Sequence, residues 1–286
     1  MKFGILFANV GPYVQPEMAA SLGRIAEEHG FESIWTVEHV VVPGDYQSEY
    51  PYSPTGRMPG PEESPIPDPL IWLTWVGAAT TSLRLATGIL ILPQRNPVIL
   101  AKELATLDVL SGSRVELGVG VGWLREEFDA LGVPFEERGA RTDEYIEALR
   151  CLWRDDEPCF VGRYANFDRA KSYPKPPRGT IPIHVGGHTM PAARRAGRLG
   201  DGFFPGRSTD DELGPLIETM RASAKDNGRD PDAIEVTAGG AMDLDGVRRF
   251  GDLGVDRIVL PPLGWDLDTL REQFGRFSEN VIAKAG

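Results

Sequence analysis

The sequence predicts an α/β fold of the (β/α)8, or TIM, barrel class, and three observations lead to it. Short apolar runs alternate with segments of helical period along all 286 residues. The runs are continuously apolar, which is typical of parallel strands covered by helices. Eight strand–helix units also fit the usual length of such a barrel with insertions. A doubly wound open sheet is the alternative, but the alternation reaches both chain ends without a break in composition.

Eight strands are expected where apolar runs end at turn residues: 2–7, 33–36, 83–91, 114–119, 181–185, 202–204, 234–238 and 256–260. Helices are expected at 16–29, 69–80, 97–110, 124–131, 141–153, 189–199 and 244–253, with two more after Thr209 and Asp266. Their ends carry ordinary signals, such as Pro16 at a first helical position and Gly30 after a last turn. No linker divides the chain, so residues 1–286 are expected to form one domain.

Two segments without helical period are interpreted as insertions, a long one after strand two and a smaller one before strand five. Residues 37–67 contain seven prolines and three tyrosines. In a barrel they would start from the C-terminal, active face, and loops of this length are usually functional, so we expect a lid. Residues 155–180 would start from the opposite face, with a small hairpin from Phe160 to Tyr164.

Composition and charge exclude several classes of protein. The net charge is −12 and the pI is near 4.9, whereas nucleic-acid binding needs a basic surface, so no nucleic-acid partner is expected. Cys151 and Cys159 are too few for a disulfide framework and match no zinc spacing. The first apolar run is too short for a signal peptide, and none approaches the ~20 residues of a membrane span. A cytoplasmic protein that binds no membrane is expected.

The fifth predicted strand ends in Gly186-Gly187-His188-Thr189, where a helix begins. Free N–H groups at a helix start attract anions, and glycines let a ligand approach the backbone. We interpret this turn as a phosphate site, with a tight structural turn as the alternative. The arginines that follow, Arg194, Arg195 and Arg198, are interpreted as a solvated helix face.

A second glycine-rich turn, Gly118-Val119-Gly120-Val121-Gly122, ends the fourth strand. It is not the dinucleotide fingerprint, which needs G-x-G-x-x-G in the first turn of the fold. Either the missing side chains let a flat ring lie against the strand end, or they allow close packing of strand and loop. The sequence does not choose between these two interpretations.

His39 follows the second strand at the start of the long insertion and is the candidate for proton transfer. Histidine suits this role near neutral pH, and a histidine hydrogen-bonded within its loop is the alternative. Glu38 is not expected to be its partner, because neighbours after a strand point apart. His184 is expected to be structural, and His188 to contact the ligand.

Other chemistries lack the residues they need. No cluster of histidine, cysteine and carboxylate residues has metal-ligand spacing, so no metal is expected. Neither a G-x-S-x-G elbow nor a phosphate-binding P-loop is present in the sequence.

Several motifs occur together, in the order found in one known family. They are Thr36-Val37-Glu38-His39, Thr87-Gly88-Ile89, Pro93-Gln94-Arg95-Asn96-Pro97, Leu117-Gly118-Val119-Gly120-Val121-Gly122-Trp123-Leu124-Arg125-Glu126-Glu127-Phe128, Tyr173-Pro174-Lys175-Pro176 and His184-Val185-Gly186-Gly187. With them the chain resembles the bacterial luciferase-like monooxygenase superfamily, and within it the coenzyme F420-dependent oxidoreductases. The resemblance covers nearly the whole chain, and the combination is specific although each motif alone is weak.

The resemblance implies that the deazaflavin coenzyme F420 binds at the C-terminal face of the barrel. It implies cofactor binding by Phe7, His39, Thr87, Gly88, Ile89, Gly120, Val121, Gly122, Gly186, Gly187, His188 and Thr189. The family's deazaflavin members often have a cis peptide bond at the end of strand three, which here corresponds to Gly88–Ile89. His39 would be the catalytic residue that supplies or removes a proton while a hydride moves between the C5 carbon and the substrate.

The substrate implied by the resemblance is a small organic molecule. The sugar-phosphate dehydrogenases of this branch have a glutamate where this chain has Trp123, so a sugar phosphate is not expected. An aromatic, apolar pocket is expected instead, lined by Tyr46, Tyr50, Tyr52, Trp123 and Phe204.

Two alternative functions remain beside this expectation. One is an FMN-dependent monooxygenase of the same fold, which would use O2 and a separate flavin reductase. The other is a non-catalytic flavin or deazaflavin carrier, which the presence of His39 and the long insertion argues against. The family also implies a homodimer through the helices after strands two and three, where Leu73, Trp75 and Val76 could contribute, although a buried helix face would show the same pattern.

Overall fold

The computed structural model of the protein describes residues 1–206 and 209–285. Its strands in chain order are β1 (Lys2–Ile5), β2 (Ser33–Thr36), β3 (Arg84–Thr87), β4 (Leu90–Ile91), β5 (Val115–Gly120), β6 (Phe160–Val161), β7 (Asn166–Phe167), β8 (Ile183–Gly186), β9 (Gly202–Phe204), β10 (Glu235–Gly239) and β11 (Arg257–Leu260). Its helices are α1 (Pro16–Glu28), α2 (Pro69–Ala79), α3 (Pro97–Ser111), α4 (Arg125–Ala130), α5 (Arg138–Arg154), α6 (Met190–Leu199), α7 (Asp210–Asp226), α8 (Leu244–Asp252) and α9 (Leu267–Asn280). None of these helices is long and apolar enough to cross a membrane.

The strands form a closed ring in which neighbours in sequence are neighbours in space. All strands except β6 and β7 belong to one parallel sheet. The ring closes because β11 pairs back with β1, where Lys2 lies opposite Arg257. Strands β3 and β4 both pair with β5 and share one position, so eight positions are filled. The predicted (β/α)8 barrel is therefore confirmed.

Two predicted elements differ clearly from those observed, and others, such as the first strand, which ends at Ile5 rather than Phe7, differ by one or two residues at their ends. Residues 83–91 form β3 and β4 rather than one strand, because Gly88 and Ile89 lie between them outside the ladder and are joined by a cis peptide bond. The cis bond is the one that the resemblance implies. The helix expected at 141–153 begins earlier, at Arg138, in a polar stretch that carries no apolar period. The expected hairpin is present as β6 antiparallel to β7.

The outer face of the barrel carries the main hydrophobic core. Alternate strand residues such as Phe3, Ile34 and Leu85 are buried in one cluster with helix residues that include Leu22 and Leu104. Each buried side chain of this size stabilises the fold by about 1.5–3 kcal/mol. The helices therefore hold the ring closed from outside, as expected for a parallel barrel.

The inside of the barrel is filled by two large rings set against glycines. Trp35 and His184 meet edge to face, with ring centroids 5.4 Å apart. A Cβ atom at Gly4 would lie 3.0 Å from the indole nitrogen of Trp35, and one at Gly202 would lie 2.0 Å from Nδ1 of His184. Glycine is needed at both positions because the rings occupy the space of a side chain.

The amino ends of the strands enclose a network of buried charges. The guanidinium of Arg257 is fully buried, donates to Glu32 at 2.9 Å, lies 3.2 Å from Oε2 of Glu116 and also contacts Glu235. Nε2 of His184 lies 3.1 Å from the Glu116 carboxylate. Burial works against ionisation of Glu116, but His184 and Arg257 overcome it and lower its pKa below the usual range. His184 thus belongs to the closed end of the barrel, as expected of a structural histidine.

A Gly202→Ala substitution tests this interior packing. The added methyl group would collide with the His184 ring, so we expect the free energy of unfolding to fall by about 1–3 kcal/mol. Gly275→Ala in α9 is the matched control, because a Cβ there meets only the His29 ring, at an ordinary contact distance of 3.6 Å, and it should stabilise the helix by about 0.5–1 kcal/mol. Urea denaturation measures both effects. Unchanged stability of G202A would contradict the packing described.

Candidate functional site

His39 is held by a carboxylate from a distant part of the chain. Its Nδ1 lies 3.1 Å from Oε2 of Glu127, a completely buried residue of α4. The other oxygen of this carboxylate accepts hydrogen bonds from the N–H groups of Val40 at 2.6 Å and Val41 at 3.3 Å. The second ring nitrogen of His39, Nε2, makes no hydrogen bond to the residues of the described ranges. Glu127 therefore fixes both the imidazole ring and the first turn of the insertion.

Glu38 points away from His39, as expected for adjacent residues after a strand. Its carboxylate accepts hydrogen bonds from Nε of Arg95 at 2.8 Å and from the N–H of Ile91. Arg95 also donates at 2.7 Å to Asp68, the residue that caps α2. Burial raises the pKa of Glu38, and the charge of Arg95 acts against this rise. Glu38 thus ties the insertion to the loop after β4 and is not the proton-transfer partner.

The two residues between β3 and β4 form a bulge at the carboxyl end of the barrel. Gly88 donates its N–H to the carbonyl of Thr36 at 2.6 Å, which joins the bulge to the end of β2. The side chain of Ile89 fills the space above Gly120 and Gly186, where a Cβ would approach it to 1.7 and 2.6 Å. Close packing against Ile89 thus accounts for the missing side chain of Gly120, one of the two interpretations left open for its turn, and Gly186 contacts the same side chain. Ile89 itself remains partly exposed above this packing.

The last glycine of the turn 118–122 lies beside a cation. The carbonyl of Gly122 accepts a hydrogen bond from Nε of Arg138 at 3.1 Å. Arg138 and Arg125 both lie over the ring of Phe135, with their guanidinium carbons 3.8 and 4.3 Å from its centroid. Val121 and Gly122 are partly exposed here. Positive charge is thus present beside the turn for which a phosphate contact is predicted.

The turn before α6 has the expected form of a helix start. Gly187 has a φ of 126°, a conformation that glycine adopts readily. The hydroxyl of Thr189 accepts a hydrogen bond from the N–H of Ala192 at 3.3 Å and so caps the helix. The ring of His188 lies edge to face against Tyr52 of the insertion, with centroids 5.0 Å apart. The insertion therefore reaches across to this helix start.

The arginines of α6 do not form the solvated face that the sequence predicts. Arg194 and Arg198 are exposed, but Arg195 is buried. Both Arg195 and Arg198 bind the carboxylate of Asp143 in α5, the latter at 2.7 Å. The prediction was wrong for Arg195, because helical period alone cannot show which residue of a neighbouring helix lies opposite, whereas Arg194 and Arg198 are exposed as predicted. These two arginines join α5 to α6.

The insertion covers this end of the barrel with connected aromatic rings. Trp123 is central, with its ring centroid 5.7 Å from His39, 5.6 Å from Tyr46 and 5.2 Å from Tyr50. Tyr50 continues the set to Tyr52 at 5.4 Å. All four contacts have the edge-to-face geometry that aromatic pairs favour. Four of the five residues predicted to line an aromatic pocket are thus brought together.

Three other predicted residues lie at different depths. Phe204 is buried and packs on Trp35, with ring centroids 5.5 Å apart, so it belongs to the packed interior of the barrel beneath the site. Thr87 is buried and donates its hydroxyl to the carbonyl of Gly118 at 2.7 Å, which leaves only its backbone for a cofactor. Phe7 follows β1, is exposed and has a positive φ of 58°, which is uncommon for a residue other than glycine.

Glu126 anchors the insertion at a second place. Its Oε1 accepts hydrogen bonds from the N–H groups of Gln47 at 2.7 Å and Ser48 at 3.1 Å, and its Oε2 from the Ser48 hydroxyl at 2.7 Å. Burial acts to raise the pKa of Glu126, but these hydrogen bonds outweigh it and lower the pKa from 4.5 to about 2. Oγ of Ser48 in turn accepts from the N–H of Arg125 at 3.1 Å, so the insertion caps α4.

Within the described ranges, one group of side chains could surround a cation. Glu116, His184 and Glu235 have potential ligand atoms within 4.8 Å of one another. Arg257 already contacts both carboxylates, so a guanidinium supplies the positive charge at this closed end of the barrel.

Comparison with known proteins identifies the family. A family model described as luciferase-like monooxygenase matches residues 1–242. The chain belongs to the luciferase-like monooxygenase family. It is similar to an uncharacterised protein of Mycobacterium tuberculosis, with 35% identity over 272 residues that cover 92% of this chain and 94% of that one. It is also similar to the F420-dependent glucose-6-phosphate dehydrogenase of Mycolicibacterium gilvum, with 33% identity over 227 residues that cover 77% of this chain and 62% of that one.

A solved structure supports the fold of this luciferase-like protein. The coenzyme F420-dependent tetrahydromethanopterin reductase from Methanopyrus kandleri superposes with a TM-score of 0.79 at 19% identity, covering 100% of this chain and 99% of that one. The family expected from the motifs is confirmed, and two of the three named proteins are F420-dependent enzymes. The protein is therefore an enzyme of the oxidoreductase class.

Sequence reasoning missed three residues of this luciferase-like site: Glu126, Glu127 and Arg138. A signal for Glu127 was present, since it stands beside the buried Phe128 in a short helix and a charged residue on a buried face needs a partner. No local pattern identifies that partner. Arg138 precedes the predicted start of its helix, and no sequence pattern indicated that it lies beside Gly122.

The anchoring by Glu126 can be measured directly. Because its pKa falls from 4.5 to about 2, its contribution should be complete above pH 4.5 and lost as the pH falls through about 2. At neutral pH, Glu126→Ala should speed amide exchange of Gln47 and Ser48 by roughly tenfold or more, since three acceptor contacts are lost. Glu136→Ala is the control, because Glu136 pairs with Arg125 and not with the insertion. Wild-type exchange rates in E126A would disprove the anchor.

Proposed function

We propose that the protein is an F420-dependent oxidoreductase that transfers a hydride between C5 of the deazaflavin and a small, apolar organic substrate. The observation that carries this proposal is the junction of β2 and β3. There His39, held by Glu127, follows one strand, and the partly exposed Ile89 follows the next. A flat ring resting on Ile89 would have one face covered by protein and its reacting edge near an imidazole.

Two named relatives support the choice of cofactor. The Mycolicibacterium gilvum relative is an F420-dependent dehydrogenase, and the Methanopyrus kandleri structure is that of an F420-dependent reductase. Both names describe oxidation or reduction with the same deazaflavin, although their substrates differ. We therefore carry over the cofactor and not the substrate.

The described residues fit a phosphorylated, acidic cofactor despite the net charge of −12. Arg138 puts positive charge beside Gly122, and the start of α6 offers N–H groups and the positive end of a helix dipole. In our proposal the backbone of 120–122 and 186–189 holds the phosphate. Local charge of this kind is sufficient, because exposed charges further away are screened by salt.

The side chains at the junction have different tasks in this proposal. Ile89 and Phe7 offer apolar contact to the ring, while Thr87 and Gly88 contribute through their backbones. When bound, F420 supplies or accepts the hydride at its C5 carbon. His39 holds or takes the paired proton at Nε2, since its Nδ1 is engaged by Glu127.

The aromatic residues over the site, from the insertion 37–67 and Trp123, favour an apolar substrate. Trp123 and the tyrosines around it present ring edges rather than charges. Arg57 is the arginine of the insertion, but it donates to the carbonyl of Tyr46 at 2.5 Å and lies 4.6 Å above that residue's ring. Because the Arg57 guanidinium is already bonded in this way, it is not available to bind a phosphate group of a substrate. The aromatic rings around Trp123 would exclude water from the reacting atoms.

An FMN-dependent monooxygenase is the second candidate. The family name supports it, because the matching family model is described as a monooxygenase. The same bulge and histidine would then face a flavin that reacts with O2. The two candidates differ in which ring binds and whether oxygen is consumed.

Cofactor titration with a matched variant tests the proposal. We expect purified protein to bind F420 more tightly than FMN, measured by quenching of cofactor fluorescence. His39→Ala should keep F420 affinity within about threefold, since the phosphate contacts lie elsewhere, and should slow single-turnover hydride transfer by roughly 100-fold or more, the usual contribution of a general acid or base. Reduced F420 with a panel of ketones and unsaturated carbonyl compounds provides the assay.

Three outcomes would contradict the proposal. Preferential binding of FMN with oxygen consumption would favour the monooxygenase. Binding of F420 without turnover on the whole panel would favour the non-catalytic carrier. An unchanged transfer rate in H39A would remove His39 from the reaction while leaving the cofactor in place.

We also propose that the protein is a homodimer through α2 and α3. Ile71 and Ile99 on these helices are 74% and 60% exposed, and Trp75 is 56% exposed. Leu73 and Val76 are buried within the chain, so of the three residues first expected to contribute only Trp75 is available. Sedimentation velocity should give a dimer for wild type and a monomer for Ile71→Glu. Val161→Glu, at a 94% exposed site of β6, should leave the dimer intact; a monomeric wild type would refute the proposal.

Two properties of the whole chain complete the proposal. We propose a single domain over residues 1–286, because β1 and β11 come from the two ends of the chain and pair with each other. The urea titration described above should accordingly show one transition.

Cys151 and Cys159 are free thiols, which supports a reducing, cytoplasmic location.

A further inference from the structure

We infer that Glu127 is a positioning residue that determines which nitrogen of His39 carries the proton. The inference rests on the proposed role of His39 in proton transfer. It concerns a contact within the chain, between Nδ1 of His39 and Oε2 of Glu127 at 3.1 Å. It is therefore testable in the protein without cofactor or substrate.

The donors around Glu127 define its chemical form. Oε1 already accepts the N–H groups of Val40 and Val41, and these two donors leave no place for a proton on that oxygen. A fully buried carboxylate that receives several N–H donors is stabilised as the anion, which can only accept hydrogen bonds. The contact with His39 then requires a hydrogen on Nδ1.

The consequence for His39 concerns its other nitrogen. A neutral imidazole with its hydrogen on Nδ1 has a lone pair on Nε2. Nε2 makes no hydrogen bond to the described residues, so this lone pair is available to take a proton from a substrate. The opposite tautomer would present an N–H there and could not act as a base.

His184 shows the reverse arrangement in the same chain. Its Nε2 faces the carboxylate of Glu116 at 3.1 Å, and its Nδ1 is buried without a hydrogen-bond partner. The carboxylate beside His184 thus faces the ring nitrogen opposite to the one that Glu127 contacts in His39, and His184 serves as an internal reference for His39.

Glu127→Gln is the informative variant because it keeps the shape of the side chain and replaces one carboxylate oxygen, an acceptor, by an NH2 group, a donor. The two N–H groups of Val40 and Val41 require an acceptor, so they hold the amide oxygen of the glutamine at the Oε1 position. The amide NH2 must then face Nδ1 of His39, which has to accept. The hydrogen of the neutral ring is forced onto Nε2.

Nitrogen-15 NMR of histidine-labelled protein, at a pH where the rings are neutral, reads the tautomers directly. The chain has four histidines, and His39→Gln identifies the signals of His39. We expect the Nδ1–H form for His39 in wild type and the Nε2–H form in E127Q, with His184 unchanged in both. Glu126→Gln is the matched control, since it alters the neighbouring anchor on the same helix and should leave the His39 tautomer as in wild type.

Two results would overturn the inference. One is an Nε2–H form of His39 in wild type, a result that is independent of whether E127Q folds. The other is an unchanged Nδ1–H form in E127Q, which would make Glu127 a purely structural anchor of the insertion.

A kinetic readout separates this inference from the proposed function. With oxidised F420 and the reduced form of the panel compound that wild type turns over, Nε2 of His39 has to take the proton, so E127Q should slow single-turnover transfer by roughly 100-fold or more, the usual contribution of a general base. Its F420 affinity should match that of wild type. If wild type fails to bind F420, the proposed function fails while the tautomer result stands. If E127Q inverts the tautomer but transfers hydride at the wild-type rate, the positioning role fails.

Discussion

One buried carboxylate, that of Glu127, holds the functional end of this molecule together. It accepts hydrogen bonds from two backbone N–H groups and contacts an imidazole, all at the point where the insertion 37–67 leaves β2. Leaving one such donor buried without a partner costs about 1–3 kcal/mol. The start of the insertion, the orientation of His39 and the docking of α4 therefore depend on the same side chain. The neighbouring Glu126 extends this dependence to the middle of the insertion.

The interior of the barrel explains why the site takes its shape. Large rings occupy the middle, and glycines stand opposite them, as Gly202 does for His184. One level higher, Ile89 takes the space left by Gly120 and Gly186. An aliphatic side chain thus fills the carboxyl end of the strand ring, and no open channel is left there between Ile89 and the two glycines. A flat cofactor resting there would meet an apolar surface, with a cation and a helix start at its phosphate end.

Features of the site that depend on local pattern could be predicted from the sequence. The alternation of strands and helices gave the barrel, and the position of His39 after a strand gave the candidate base. Long-range partners could not be predicted, because Glu127 lies 88 residues from His39 and no period links them. For the same reason Arg195 was misassigned, since its partner Asp143 lies on another helix. The glycine-rich turn was ambiguous because a missing side chain does not say what fills the space.

The most direct measurement is a crystal structure of the protein with F420 bound. We expect the deazaflavin ring to lie against the Ile89 side chain, with its C5 carbon about 3–3.5 Å from the position of a bound substrate atom and within proton-transfer reach of Nε2 of His39. The phosphate should contact the backbone at 120–122 or 186–189. A ring bound elsewhere, or one whose C5 carbon faces away from His39, would contradict the function proposed for this enzyme.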